Sequence, residues 1–168
     1  PQADAYYVPR RNFFMGRWIC HSGYYPDYRQ PQLFRKGALV FKDGDPVHEE
    51  FRIVSQKPVG YLKEAIWQLP FADLAELMHK ADRYSSLGAR KLDMNGQHGS
   101  MGRAFGHALW AFLHMYLMKR GFLDGWPGFM IAFSSFESTL FKYAKLYEMQ
   151  AKRQGQWEPP PSPPLRRS

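Results

Sequence analysis

The run AFGHALWAFLHMYLMKR, residues 104–120, constrains the fold more than any other stretch of this chain. It is apolar almost all round the helix that its composition predicts, and only His107 and His114 interrupt it. The apolar part is about 15 residues long, or roughly 22 Å at 1.5 Å per residue. The hydrocarbon core of a bilayer is about 30 Å thick, so the run is too short to span it. Its apolar surface has to be covered in another way.

A second helix is predicted after the helix-breaking stretch GFLDGWPG, because large apolar residues recur there at alternating spacings of four and three. This stripe consists of Phe129, Phe133, Phe136, Leu140, Tyr143 and Tyr147. Aromatic residues and basic ends, at Lys119–Arg120 and Lys142/Lys145, suit helices that lie in a membrane interface. Alternatively, both helices cap a sheet and bury their apolar stripes inside the protein. The pattern leaves both interpretations open.

Four regions follow one another along the chain. Residues 1–66 are strand-like, because aromatic and β-branched runs there end at Gly or Asp-Gly turns, and we interpret them as part of a sheet with long loops. Residues 67–103 are predicted to form a helix and a Gly-rich loop, and residues 104–150 an amphipathic helical pair. Residues 151–168 form a Pro-rich tail that we expect to be disordered or extended. The fold class predicted from these regions is α/β.

The helix within residues 67–103 has a recognisable start. Pro70 suits its first turn, and Asp73 and Glu76 suit the positive N-terminal end of the helix. The pattern predicts an end near Leu87 or Lys91, before the Gly-rich stretch. Residues spaced along one predicted face are Leu74, Met78, Ala81 and Ser85.

Charge and cysteine content narrow the possible partners. The net charge is +8 and the isoelectric point is about 9.6, which favours an anionic partner such as a phospholipid surface, a phosphorylated substrate or nucleic acid. The basic residues are spread along the chain and form no dense block, so we expect no nucleic-acid partner. The single Cys20 excludes an internal disulfide and fits a reducing compartment.

The stretch DGDPVHEEFRI, residues 43–53, holds the candidate chemistry. A carboxylate at a strand end can take a proton from a hydroxyl nucleophile, and His48, Glu49 and Glu50 lie at such an end. The alternative is a solvated strand end. Asp43-Gly-Asp45 is interpreted as a hairpin turn. The spacing of the histidines gives no ligand set for a metal, and none of these residues is predicted to bind one.

Five stretches in this order resemble one family: YYVPRRNFFMGRWI, GYYPDYRQPQLFRKG, DPVHEEF, FADLAELMHKADRYSSLGA and KRGFLDGWPGFMIAFSSFESTLFKYAKLYE. They are similar to the second half of the inverting family 2 glycosyltransferases, of the lipopolysaccharide-core β-glycosyltransferase type. The resemblance implies the C-terminal, acceptor-side half of a GT-A domain, followed by an α-helical, amphipathic extension that meets the membrane.

The resemblance also implies a reaction. Such enzymes transfer a hexose, commonly glucose from UDP-glucose, to a sugar of a glycolipid acceptor, in one inverting displacement. A carboxylate deprotonates the acceptor hydroxyl while a divalent metal, Mg or Mn, offsets charge on the leaving diphosphate. The implied location is the cytoplasmic face of the inner membrane, with the protein peripheral to the lipid.

The resemblance assigns roles by position. Glu49 is the expected base, and Glu50 is the fallback because a register shift of one residue exchanges the two faces of a strand. Asp27 is expected to accept hydrogen bonds from sugar hydroxyls, and Arg35 and Lys36 to meet phosphate. The remaining candidate substrate-binding residues are His48 and Tyr25, with His21 as a further neighbour. The family usually has a basic residue where Gln32 stands, which weakens a diphosphate role at that position.

The donor half of such an enzyme, with its Asp-x-Asp metal ligands, is expected to lie upstream of Pro1. We therefore expect the 168 residues alone to be inactive. The alternative function is a non-catalytic membrane-interface module that acts through the helices of residues 104–150.

Overall fold

The computed structural model describes residues 2–41 and 51–156. Within these residues eight short strands come first: β1 (Ala5–Tyr7), β2 (Arg10–Phe14), β3 (Arg17–Ile19), β4 (Leu33–Phe34), β5 (Leu39–Phe41), β6 (Phe51–Ile53), β7 (Gly60–Tyr61) and β8 (Ile66–Gln68). Three α-helices follow: α1 (Leu74–Met94), α2 (Met101–Leu113) and α3 (Gly125–Arg153). The α/β class is confirmed, with the strands ahead of the helices.

The strands form three small sheets instead of the one sheet that the sequence suggested. Their orders are β4-β1-β7, β3-β2-β8 and β5-β6. Strands β1 and β7 run parallel, with Tyr6 opposite Gly60, and β2 and β8 run parallel, with Arg10 opposite Ile66. The β4, β3 and β5-β6 pairings are antiparallel. The short strands leave long loops, and the loop after β3 reaches the helices.

Helix α1 starts at Leu74, so Asp73 and Glu76 lie at its N-terminal end as predicted, whereas Pro70, predicted for its first turn, lies ahead of the helix. Asp73 is the N-cap, and its side chain accepts a hydrogen bond from Glu76 N at 2.8 Å, while the Glu76 carboxylate accepts one from Ala72 N at 2.6 Å. This reciprocal arrangement satisfies the Glu76 amide in the first turn and the Ala72 amide just ahead of the helix. The helix continues to Met94, beyond the predicted end at Leu87 or Lys91.

The face of α1 that the sequence spacing predicted is only partly buried. Leu74 and Met78 are exposed, and the buried residues are Leu77, Ala81, Ser85 and Ala89. Most of these are small, which allows α1 to approach α3 closely. Lys145 of α3 reaches across and donates to Asp82 Oδ1 at 2.6 Å and to Ser85 Oγ at 2.8 Å.

The stretch between α2 and α3 is more helical than predicted. A π-helical turn (His114–Met118) ends α2, and a 3₁₀ turn (Gly121–Asp124) leads directly into α3. Gly128 lies so close to this turn that a Cβ atom added there would overlap the Gly121 carbonyl oxygen. The glycines of GFLDGWPG therefore allow two backbones to touch.

The aromatic stripe of α3 faces α2. Phe129 packs edge-on against Phe112, Phe136 packs against Phe105, and Tyr143 stacks on His107. The opposite side of α3 packs against α1 and the strands, where Ile131 joins the core cluster of Phe14, Ile19, Phe71 and Leu77. No described helix is long and apolar enough to cross a membrane.

Candidate functional site

A cavity of about 370 Å³ lies between the strands and helices α1 and α3. Its walls come from strand β2, the loop after β3, helix α1 with the residues just before it, and the middle of α3. The volume falls within the range of about 300–1,000 Å³ that is usual for small-molecule sites. We take this cavity as the candidate site in the part of the chain that the structure describes.

Asp27 lies between two guanidinium groups at one end of the cavity. Arg29 Nε donates to Asp27 Oδ1 at 2.6 Å, and Arg10 Nη1 lies 3.7 Å from Asp27 Oδ2. The Asp27 side chain is 5% exposed and the Arg10 side chain 12% exposed. One carboxylate and two guanidinium groups leave a net positive charge at this end, which favours an anionic group on a ligand.

The backbone fixes this group of charges. Arg10 N donates to the Pro26 carbonyl oxygen at 3.0 Å, which fastens the loop after β3 to strand β2. Asp27 follows at a φ of 55°, in the left-handed region, where Asp is more frequent than most other side chains. The loop therefore turns the Asp27 side chain back toward Arg10.

A row of hydroxyl groups on α3 forms another wall. Counted from Ile131, the hydroxyl residues follow after three, four, seven and eight positions, which places them on one face of the helix. They are Ser134, Ser135, Ser138 and Thr139. Ser138 Oγ donates to the Ala81 carbonyl oxygen at 3.2 Å. No hydrogen bond joins the side chains of Ser134, Ser135 or Thr139 to another described residue. These hydroxyls are available to a polar ligand.

Helix α1 contributes a cation that is already neutralised. Lys80 Nζ lies 2.8 Å from Glu76 Oε1 and 2.5 Å from the Pro70 carbonyl oxygen, and it sits over the Phe71 ring. The Lys80 ammonium and the Ala72 amide hold the pKa of Glu76 below its usual range. Phe71, with Leu77 and Ile131, supplies the apolar part of the lining.

Asn12 and Tyr24 line the inner part of the cavity. Asn12 is 1% exposed, and its Nδ2 donates to the Tyr24 carbonyl oxygen at 2.6 Å. Burial raises the pKa of Tyr24 to about 12. Asn12 is therefore shielded from water, and its hydrogen bond to the Tyr24 carbonyl oxygen gains strength from the low local dielectric.

Asp124 ties the loop after β3 to the start of α3. Its buried carboxylate accepts hydrogen bonds from Cys20 N at 3.1 Å and His21 N at 2.9 Å, and its Oδ1 lies 2.9 Å from His21 Nδ1. This contact fixes the position of the loop after β3 relative to α3, and both elements form walls of the cavity. His21, a predicted neighbour of the acceptor, is therefore held in place by Asp124.

The described residues among the predicted site residues do not lie together. Asp27 lines the cavity, whereas Tyr25 is exposed and packs edge-on against Trp18 with ring centres 5.3 Å apart. Arg35 Nη1 lies 3.7 Å from Asp4 Oδ1, which directly precedes β1, and Lys36 is exposed next to it. The structure thus does not bring Arg35 or Lys36 to the cavity that Asp27 lines.

Asp4 is surrounded by cationic and hydroxyl groups near Arg35. Lys57 Nζ donates to Asp4 Oδ1 at 3.1 Å and Ser55 Oγ to Asp4 Oδ2 at 3.0 Å. These hydrogen bonds hold the pKa of Asp4 below its ordinary value. Arg35 is therefore part of a surface ion-pair group.

The predicted base lies outside the described residues. His48, Glu49 and Glu50, like the Asp43-Gly-Asp45 turn, belong to residues 42–50. The strands on either side are described, and Phe41 of β5 pairs with Phe51 of β6 in antiparallel register. Glu49 and Glu50 thus immediately precede the first residue of a described strand.

The described residues contain no group of three or more His, Cys, Asp or Glu side chains that could hold a metal ion. We therefore assign no step to a metal held by these residues. The metal that the resemblance implies stays a prediction about ligands upstream of Pro1.

The sequence matches no protein-family model, and the chain matches no solved structure.

Arg10 and the α3 hydroxyls were missed by sequence reasoning. The hydroxyl residues at 134, 135, 138 and 139 repeat at helical spacing on the side of α3 away from the aromatic stripe, so the polar row was visible in the sequence. Its place in the wall of a cavity could not be predicted, because a polar row on a helix is usually a face exposed to solvent. Only the packing of α1 and the loop after β3 encloses it.

Proposed function

We propose that the chain is the acceptor-side part of an inverting glycosyltransferase that moves a hexose from a nucleotide sugar to a glycolipid. One observation carries the proposal: four of the five stretches that resemble such enzymes meet at one cavity. All the residues that line the cavity belong to those stretches except Gln68, Pro70 and Met115. The fifth stretch, DPVHEEF, carries Glu49.

The cavity lining suits a sugar. Hydroxyl, amide and carboxylate groups offer hydrogen bonds to sugar hydroxyls, and Phe71, Leu77 and Ile131 offer an apolar surface to the C–H groups of a sugar ring. In the proposed reaction Glu49 accepts the proton of the acceptor hydroxyl, whose oxygen attacks C1 of the donor sugar. The bond from C1 to the diphosphate breaks, and the anomeric configuration inverts.

The test measures hexose transfer from UDP-glucose to a glycolipid fraction by the complete product of the gene. Replacing Glu49→Gln should lower kcat by about 10²–10⁴-fold, the usual contribution of a general base, and leave donor binding within twofold. Glu50→Gln is the matched control and should keep most of the activity. If Glu50→Gln is the inactive variant instead, the base is Glu50. Activity unchanged in both variants would overturn the proposed reaction.

A second candidate function rests on the surface of the helical half. Exposed large apolar side chains are concentrated between residues 101 and 126, and they are Met101, Phe105, Leu109, Trp110, Leu117, Met118, Phe122, Leu123 and Trp126. The sequence has no acidic residue between Asp93 and Asp124, while Arg103, Lys119 and Arg120 lie there and are exposed. Exposed apolar and basic groups along one stretch of the chain suit an anionic membrane.

This surface gives a test that does not depend on sugar transfer. Replacing both Trp110→Glu and Trp126→Glu should weaken binding to vesicles that contain phosphatidylglycerol at least tenfold. Trp67→Glu is the control, because Trp67 is 75% exposed but lies on β8. A membrane module without transferase activity would bind vesicles and transfer no hexose. Equal vesicle binding by the double variant and the control would remove the membrane role of this surface.

A further inference from the structure

Arg10 has donors that the described residues do not use. Its side chain is 12% exposed, and its contact with Asp27 is 3.7 Å long, beyond hydrogen-bond distance. No other described side chain forms a hydrogen bond or an ion pair with its guanidinium group. A guanidinium group carries five N–H donors in a rigid plane and binds carboxylate or phosphate in a bidentate manner. A nearly buried group of this kind needs an acceptor.

Asp27 does not meet that need by itself. Its Oδ1 already accepts from Arg29 Nε at 2.6 Å. Lys80, the third cation of the lining, has its own carboxylate partner in Glu76. The uncompensated positive charge of the cavity is therefore located at Arg10 and Arg29, at the end where the loop after β3 meets β2.

The hydroxyl row of α3 lies in the same cavity as this charge. The side-chain hydroxyls of Ser134, Ser135 and Thr139 make no hydrogen bond to another described residue, and Ser134 is 8% exposed. A ligand that fills the cavity therefore meets a positive end, a row of hydroxyl groups and an apolar patch. A simple anion would use only the first of these, and a neutral sugar only the other two.

We propose that the cavity binds a sugar that carries an anionic group, a phosphate or a carboxylate, with that group on Arg10 and Arg29 and the sugar hydroxyls on the α3 serines. Naming this ligand as the acceptor of the transfer rests on the proposed function, but the binding itself does not. Asp27 then holds the two guanidinium groups in position, and it accepts a hydroxyl of the ring through its Oδ2.

The test is isothermal titration of the 168-residue chain with glucose 6-phosphate, glucuronate, glucose and inorganic phosphate. Glucose 6-phosphate or glucuronate should bind at least tenfold more tightly than glucose and than inorganic phosphate, and the tighter of the two identifies the anionic group. Arg10→Gln should weaken that binding at least tenfold. Ser135→Ala should weaken the binding of the anionic sugar but leave the binding of inorganic phosphate unchanged.

Arg11→Gln is the matched control. It removes the same charge from the neighbouring position of β2, where Arg11 is exposed and lies over the Trp18 ring, outside the cavity. It should leave binding within twofold. Arg29→Gln changes a 65% exposed side chain and serves as the second variant if Arg10→Gln unfolds the chain.

Three results would overturn the proposal: no binding of either anionic sugar, equal loss in Arg10→Gln and Arg11→Gln, or equal affinity for glucose and glucose 6-phosphate. The outcome is separable from the transferase test. Binding of an anionic sugar without hexose transfer would support the proposed site and contradict the proposed reaction. Hexose transfer without binding of an anionic sugar would support the reaction and contradict the proposed ligand.

Discussion

At the scale of single residues, Asp124 connects the strands to the helices. Its carboxylate is 3% exposed, accepts from two backbone amides and lies against the His21 ring. Buried hydrogen bonds to a charged group are worth more than neutral ones, and their loss leaves the donors without partners. In the sequence Asp124 is part of a Gly-Phe-Leu-Asp-Gly element. Its partners could not be predicted, because they lie about a hundred residues earlier in the chain.

Replacing Asp124→Ala should lower the free energy of unfolding by about 3 kcal/mol, because the amides of Cys20 and His21 lose a charged acceptor in a buried place. Asp82→Ala is the control, since the Asp82 side chain is 73% exposed and its pair with Lys145 is worth at most about 1 kcal/mol. Urea unfolding with an unchanged slope checks both values. An equal effect of the two substitutions would contradict the role of Asp124.

The raised pKa of Tyr24 predicts that the stability of the fold depends on pH in the alkaline range. Its pKa is raised from 10.0 to about 12, so between these values the unfolded chain loses the phenol proton and the folded chain keeps it. The contribution of Tyr24 to stability is fully present below pH 10 and is lost as pH rises toward 12.

In the Tyr24→Phe variant, the decline in unfolding free energy between about pH 9 and about pH 11.5 should be smaller by about 2 kcal/mol. Tyr61→Phe is the control, because Tyr61 is 63% exposed and Tyr24 is still present in that variant. Urea titrations at the two pH values measure the difference. The same decline in wild type and Tyr24→Phe would show that the Tyr24 phenol is accessible to water.

At the scale of elements, local signals predicted more than long-range ones. The start of α1 followed from Asp73 and Glu76, because capping is decided within a few residues. The buried face of α1 did not follow, since hydrophobicity favoured Leu74 and Met78 while close packing against α3 selects small residues such as Ala89. The resemblance to an acceptor loop predicts that Asp27 binds sugar hydroxyls, and this role stays a prediction. Its ion-pair partner Arg10 is supplied only by the tertiary fold.

The contact between the 3₁₀ turn and α3 depends on Gly128. A Cβ atom there would overlap the Gly121 carbonyl oxygen, so the two backbones would have to separate. We expect Gly128→Ala to destabilise the chain by about 1–3 kcal/mol or more, as overpacking does.

Gly106→Ala is the matched control for that prediction. Gly106 lies inside α2, and a Cβ atom added there would have no other atom within 4 Å, apart from its own helix backbone. Ala should therefore stabilise the helix by about 0.5–1 kcal/mol. Thermal unfolding of both variants measures the difference. A neutral Gly128→Ala would show that the 3₁₀ turn is free to move away from α3.

At the scale of the whole molecule, one core cluster joins the strands to the helices. Phe14 and Ile19 come from β2 and β3, Leu77 from α1 and Ile131 from α3, and all are nearly inaccessible to water. Strands β1 to β8 have two to five residues each, too few to form stable sheets without this packing. The helical half therefore supports the strand half.

We expect a single cooperative unfolding transition. Far-ultraviolet circular dichroism, which reports mainly on α1, α2 and α3, should give the same urea midpoint as the fluorescence of Trp18 after the other tryptophans are replaced by Phe. Trp18 lies on β3, next to the core residue Ile19. Two separate midpoints would show that strands and helices fold independently.

The parallel pairing of β1 with β7 and of β2 with β8 also has a kinetic consequence. Chain segments that are far apart in the sequence, such as those around Tyr6 and Gly60, have to come together across a long connection before either pair forms. Closing such a connection loses chain entropy before any contact compensates it, and topologies of this kind fold slowly. The helical pair α2–α3 is close in sequence, so we expect it to form earlier. During synthesis and refolding, the exposed edges of the early strands must therefore wait for their partners, and this interval is when the chain is most prone to aggregate.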